Sequence, residues 1–330
     1  MRLIGIDIGG TKCRVSLGSF GTTGTPVSGG LRIEQIGTTY TTAEYTPAEL
    51  QELLLHDTEQ LIAAAGEPPE AIGISCGGPL DQEKGVILSP PNLPGWDEIH
   101  ITDFFKERTG IPAYLCNDAN AGALAEWKYG AGKGYNNVIF ITFGTGFGAG
   151  LILDGHLYNG ASGQAGEIGH IRLAEFGPAG YGKAGSLEGF CSGGGIVRLA
   201  RTMIEEELQQ GRQPAICLSY RELDSLTAKK IGIAAEHGDP LAVKIYEAVG
   251  KKLGEGLSIV IDILNPEVIV LGSIFPKSRN EIWPAAAAVI ERETLPLARK
   301  VCTVVPSVLG DDIGNYAALA VAQYGLEQNR

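Results

Sequence analysis

The sequence predicts an α/β protein built from two related halves, and three observations lead there. An apolar strand, a glycine-rich turn and a second apolar strand occur at residues 3–17, and the same arrangement recurs at residues 138–153. Two further buried-type strands, at 71–76 and 268–271, also run into glycine at their carboxyl ends, as Gly77-Gly78 and Gly272-Ser273. The chain has 330 residues, a length that suggests two domains.

Taken in order, residues 3–8 form a short strand carrying Asp7, followed by Gly9-Gly10-Thr11-Lys12 and a strand at 13–17. After Gly18 the chain is polar and rich in Gly and Thr to about Gly30, then strand-like over 31–36. Thr46-Pro47-Ala48-Glu49 is a capping box with proline at the first helical position. Leu50, Leu53, Leu54 and Leu61 give the helix an apolar face, and Gly66 closes it. The strand at 71–76 leads into Gly77-Gly78-Pro79 and an irregular stretch at 89–96, where three prolines preclude a central strand. A loop at the end of a buried strand is a common place for a binding site. A strand at 112–116 meets Asn117-Asp118-Ala119-Asn120, and a helix follows over 121–129, ended by Gly130. Asp118 stands at or just before the helix start, where capping and catalysis are compatible, because the helix N-terminus helps keep a carboxylate ionised.

Residues 138–170 offer the most chemistry. The strand at 138–143 breaks into Gly144, Gly146, Gly148 and Gly150 before apolar residues resume at 151–153. Repeated glycine lets a ligand approach bare backbone, and amides exposed in such a turn make an anion-binding concavity. Glu167 and His170 end the stretch as a polar pair. The cradle suits a nucleotide phosphate and the pair suits a second substrate. Beyond them come a loop-like segment at 176–185, Glu188, and Ser192-Gly193-Gly194-Gly195 opening a helix to about 210. Asp239-Pro240 starts a long helix to 264, in which Gly250, Gly254 and Gly256 predict close packing against another element. The remaining elements are the strand at 268–271, a helix at 282–292, a strand at 301–305 and a final helix at 314–324.

Composition excludes some classes. Lys and Arg number 26 against 38 Asp and Glu, a net charge of −12, which argues against a nucleic-acid surface. No apolar run approaches a membrane span, and no signal-peptide pattern precedes Asp7. The six cysteines have no metal-like spacing and read as reduced thiols of a cytoplasmic protein.

Five segments resemble the ROK family of sugar kinases, within the actin-like ATPase superfamily, and occur in that family's order. They are residues 7–12 (DIGGTK), 117–121 (NDANA), 144–148 (GTGFG), 166–170 (GEIGH) and 271–273 (LGS). The resemblance covers nearly the whole chain. It implies two α/β domains of the ribonuclease H-like, actin-like ATPase fold with a deep inter-domain cleft. The small domain would be 1–116 plus 307–330 and the large domain 117–306. It implies ATP and Mg²⁺ as cofactors, phosphoryl transfer to the 6-hydroxyl of a hexose such as glucose, and a homodimer. Asp118 resembles the family's catalytic base. Asn117, Glu167, His170 and Glu188 resemble its sugar contacts, with Gly78 and Asn92 contributing from the small domain. Asp7, Gly9, Gly10, Thr11 and Lys12 resemble one phosphate loop, and Gly144, Thr145, Gly146 and Gly148 the other. Gly272 and Ser273 resemble the adenosine site. Asp7 suits Mg²⁺ through water, because Mg²⁺ keeps much of its hydration.

One departure matters. Many members bind zinc through the histidine of Glu-x-Gly-His and three cysteines, but here the cysteine positions hold Ala179, Tyr181 and Ser186. His170 alone cannot build a tetrahedral site, so no zinc is expected. Fructose, allose and N-acetylated hexosamines remain open as substrates. A sugar-sensing regulator is the reading from another class. Regulators of the family carry a helix-turn-helix module ahead of the phosphate loop, and the first strand here begins at Leu3.

Overall fold

The structure, a computed structural model, describes residues 1–20 and 30–329. Most of the polar stretch expected after Gly18 falls outside the described residues. The chain opens with the hairpin β1 (Arg2–Ile8) and β2 (Lys12–Phe20), then β3 (Leu31–Ile36) and the short β4 (Tyr40–Thr41). Helix α1 (Pro47–Ala64) starts on the expected capping box: the Glu49 amide donates to the Thr46 hydroxyl and the Thr46 amide to the Glu49 carboxylate. Next come β5 (Ala71–Cys76) and a small sheet of β6 (Leu80–Asp81), β7 (Val86–Ile87) and β8 (Ile99–His100). Then follow α2 (Ile101–Thr109), β9 (Ala113–Asn117) and α3 (Asp118–Tyr129).

The second half begins with β10 (Val138–Phe143), β11 (Phe147–Leu153) and β12 (His156–Leu157). A hairpin of β13 (Ala179–Gly180) and β14 (Lys183–Ala184) precedes α4 (Leu187–Cys191), α5 (Gly193–Gln209), α6 (Ala228–Glu236) and α7 (Pro240–Leu264). The last elements are β15 (Val268–Leu271), α8 (Ile274–Lys277), α9 (Arg279–Glu293), α10 (Pro296–Val301), β16 (Thr303–Pro306) and α11 (Ile313–Gln328).

Several boundaries differ from the sequence reading. Helix α3 begins at Asp118, three residues early, because Asn117 supplies the cap. Strand β11 begins at Phe147, so Gly148 and Gly150 belong to the strand and only Gly144–Gly146 form the turn. Val301 ends α10, and the strand after it starts at Thr303.

The internal repeat extends to topology. One sheet has the order β3-β2-β1-β5-β9 and the other β12-β11-β10-β15-β16. In the first, β1 is antiparallel to β2 and parallel to β5, and β5 is parallel to β9. Contacts group the chain into two compact units. One comprises Met1–Phe140, Gly150–Ala165 and Val308–Arg330; the other comprises Ile141–Ala149 and Gly166–Ser307.

In the first unit α11 lies directly on the sheet backbone. A Cβ on Gly73 would stand 2.0 Å from the Ala318 carbonyl oxygen, and one on Gly5 would stand 3.0 Å from Ala318 Cβ. Glycine at these strand positions admits the helix. Ile4, Ile6, Ile72, Ile74 and Leu115 are buried together with Leu50, Leu54 and Leu61 of α1. Such continuous burial suits parallel strands covered on both faces. In the second unit α7 packs on α9 as its glycines predict: a Cβ on Gly250 would lie 2.4 Å from the Ile282 carbonyl oxygen.

Candidate active site

The parallel strands of the first unit bring three candidate segments to one end of the sheet. Register aligns Ile8 with Cys76, and Cys76 with Asn117. Asp7 and the Gly9-Gly10 turn, Gly77-Gly78, and Asn117-Asp118 therefore leave the carboxyl ends of β1, β5 and β9 side by side. Ligands of open α/β sheets bind outside these ends. Close approaches tighten the group. A Cβ on Gly10 would meet Asn92 Cβ at 2.7 Å, and one on Gly78 would meet Asn117 Nδ2 at 3.1 Å. Asn92 is held by a loop in which the Ser89 amide donates to the Trp96 carbonyl at 3.0 Å, with Trp96 buried.

Asp118 is the first residue of α3, and its neighbour Asn117 is the cap. The Ala119 amide donates to Asn117 Oδ1 at 3.0 Å and to Asp118 Oδ1 at 2.8 Å. Asp118 keeps an exposed side chain, yet it sits deep enough to lose hydration, and that desolvation raises its pKa against the Ala119 hydrogen bond. Asp7 is half-buried and pushed up to about 6. Burial is the largest cause; Arg14 and Lys12 lower it, and the neighbouring Asp118 charge raises it. Thr11 and Lys12 are exposed beside it.

The turn at Gly9 has a support the sequence did not reveal. Thr42 is buried; its hydroxyl donates to the Gly9 carbonyl at 2.6 Å and its amide donates to the Thr11 carbonyl at 3.0 Å. Thr42 lies thirty-three residues from Gly9, so no local pattern announces it.

In the second unit the remaining candidates gather around the β10–β11 turn. Gly144 lies against Ser273, and its carbonyl accepts from the Gly193 amide at 2.7 Å, at the start of α5. The strand β15 delivers Gly272, whose amide donates to the Ile141 carbonyl, and Ser273, which has φ 49°. The Gly148 amide donates to the Thr142 hydroxyl at 3.1 Å. The Glu188 carboxylate accepts from the Phe147 amide at 3.1 Å, so one face of Glu188 is engaged with the glycine turn itself. Gly193 and Phe147 thus join the group; the glycine run of 193–195 was the only signal for the first.

Glu167 and His170 are exposed on a short turn held against β11. Gly166 has φ 94°, and a Cβ there would stand 1.9 Å from the Ala149 carbonyl; a Cβ on Gly169 would stand 2.0 Å from the Phe147 carbonyl. Both positions exclude any side chain. Ala179 offers no metal donor. The buried Ser186 hydroxyl accepts from the Gly189 amide at 3.1 Å, and the Tyr181 ring meets His170. These residues do not fit tetrahedral zinc. Among the described residues no three His, Cys, Asp or Glu side chains converge as a metal-holding group, and no helix is long and apolar enough to cross a membrane.

A family model described as the ROK family matches residues 3–324. A glucokinase of Halalkalibacterium halodurans is 33% identical over 249 residues, 74% of each chain. The DNA-binding transcriptional repressor Mlc of Escherichia coli is 30% identical over 68% of this chain and 54% of its own. Among solved structures, a ROK family glucokinase from Streptomyces griseus in complex with glucose and AMPPNP superposes with a TM-score of 0.77 at 29% identity, covering 98% of this chain and all of that one. The shared architecture is the actin-like ATPase fold.

Proposed function

The chain belongs to the ROK family, and from that premise we propose that it is an ATP-dependent sugar kinase transferring the γ-phosphoryl group to the 6-hydroxyl of a hexose, glucose first. The observation that carries the reading is the shared end of the sheet at which Asp7, Gly10, Gly78, Asn117 and Asp118 emerge. A kinase needs an accessible base, a phosphate cradle and polar groups for the acceptor, and the proposed residues supply each.

In the proposed reaction the sugar O6 forms a bond to the γ-phosphorus as the bond from that phosphorus to the β–γ bridging oxygen breaks. The hydroxyl proton passes to Asp118. Its raised pKa makes it a stronger base than an ordinary carboxylate. Phosphoryl transfer proceeds through a loose transition state, so the protein chiefly positions and neutralises. The backbone of Gly9, Gly10, Gly144, Thr145 and Gly146 would cradle phosphate, with Gly148 shaping the strand behind, and Thr11 and Lys12 would contact the same charges. Gly272 and Ser273 would hold the adenosine. Asp7, a hard oxygen donor beside the turn, would hold Mg²⁺ through water, and Mg²⁺ supplies neutralisation of the β- and γ-oxygens. Asn117, Glu167, His170 and Glu188, with Gly78 and Asn92, would bind the hexose.

The test is ADP release with Mg-ATP across hexoses and N-acetylhexosamines, with Asp118→Asn beside the wild type. Turnover on glucose is expected, with kcat lowered about 10²–10⁴-fold in the variant and sugar binding kept. The similarity to Mlc motivates the rival reading, a sugar-binding regulator. A folded wild type that binds sugar and ATP but releases no ADP on any sugar would favour it.

A further inference from the structure

The hairpin of β13 and β14 grips His170 through its main chain and its ring. Lys183 Nζ donates to the His170 carbonyl at 2.7 Å. Arg172 Nη1 donates to the Ala184 carbonyl at 2.9 Å, pinning the strand just beyond His170. At the hairpin tip Tyr181 adopts φ 43°, followed by Gly182 at 75°. The Tyr181 ring is 73% exposed, yet it meets the His170 imidazole edge-on, with centroids 6.4 Å apart at 73°. That is a favoured aromatic geometry. The hairpin is itself fixed from behind. The Gly185 amide donates to the Pro178 carbonyl at 3.0 Å, the Leu173 amide to the Gly185 carbonyl at 2.8 Å, and the Leu187 amide to the Ile171 carbonyl at 2.8 Å.

We infer that the Ala179–Ala184 hairpin is a metal-free positioning device for His170, in which Lys183 fixes the main chain and Tyr181 sets the orientation of the imidazole. Tyr181 is therefore a positioning residue that controls hexose affinity without acting on the transferred phosphoryl group. This inference rests on the reading of His170 as a hexose contact. The contact needs the Tyr181 ring, not its hydroxyl, so phenylalanine should serve and alanine should not.

The experiment compares wild type, Tyr181→Ala and Tyr181→Phe in two readouts. Imidazole resonances of the ligand-free protein, assigned through His170→Gln, report the ring contact. Steady-state kinetics report KM for glucose and for ATP. The expected result is a displaced His170 resonance and a KM for glucose raised about tenfold in Tyr181→Ala, the scale of an aromatic pair. KM for ATP, kcat and Tm stay near wild type, Tyr181→Phe restores both signals, and prior dialysis against EDTA changes neither. An unmoved His170 resonance, an unmoved glucose KM, a parallel rise in the ATP KM, or loss of glucose affinity on EDTA treatment would each overturn the inference. A wild type that turns over no sugar defeats the kinase reading instead, while the resonance still decides whether the hairpin orients His170.

Discussion

Asp7 carries a pH dependence whose sign follows from its surroundings. Its pKa of about 6 in the folded protein exceeds the ordinary carboxylate value of about 3.9. The folded state therefore binds this proton more tightly than the unfolded chain, and stability falls as pH rises from about 4 through 6. Above that window the ionised Asp7 opposes folding; below it the effect vanishes. Asp7→Asn should stabilise the ligand-free protein at pH 8 by about 1–2 kcal/mol after discounting for partial exposure, read as a raised Tm. At pH 4 it should leave the Tm unchanged. Equal shifts at both pH values would refute the assignment of the strain to charge burial. The residue types at this end of the sheet were readable from the sequence, but their bonds were not. Asn117 and Asp118 are both good caps in adjacent positions, so only the backbone decides between them. Glu188 bonds an amide forty-one residues away, beyond any local pattern.

At the scale of elements, the first glycine turn is held by β4 and the turn that follows it. Strand β4 pairs Thr41 with Lys12 and Tyr40 with Cys13, which brings the Thr42 hydroxyl onto the Gly9 carbonyl. The buried Asp57 braces the approach, accepting from the Thr38 amide at 2.7 Å and the Tyr40 hydroxyl at 3.1 Å. Thr42→Val keeps the side-chain volume and removes one donor, a loss of about 0.5–1.5 kcal/mol. The expected outcome is a KM for ATP raised about three- to tenfold, with hexose binding measured by calorimetry unchanged. A variant with wild-type ATP kinetics would show that the turn holds its shape without Thr42. The larger strands and helices were visible because periodicity and caps announce them, as Thr46 does for α1. The short elements were not: α4 has five residues, and β4, β13 and β14 have two each, too few for a periodic pattern to announce. Glycine clustering also conflated two jobs. Gly144–Gly146 turn the chain, whereas Gly150 is glycine because a Cβ there would stand 2.4 Å from the Ala119 carbonyl of α3.

For the whole molecule, the repeated strand–turn–strand signal anticipated a duplicated sheet order, and both sheets follow it. The repeat speaks to architecture; whether the chain performs chemistry or only senses a sugar is a question about linked equilibria. A ligand that binds only the folded protein stabilises it by about 2.7 kcal/mol at one hundred times its dissociation constant. For a chain of this length that is a Tm rise of about 4–7 °C. Glucose should produce this rise in the wild type and equally in Asp118→Asn, because removing the proposed base would leave the proposed hydroxyl contacts of Asn117, Glu167 and His170 in place. ADP release should separate the two proteins. A wild type with the thermal shift but no ADP release would transfer the argument to the regulator reading, and a DNA retardation assay would then be decisive. The net charge of −12 makes non-specific binding weak even at low salt, so a retarded fragment would require a basic surface that the bulk composition does not supply. If the thermal shift instead disappears in Asp118→Asn, Asp118 holds the sugar in the ground state. The kcat loss could then no longer be credited to proton transfer alone.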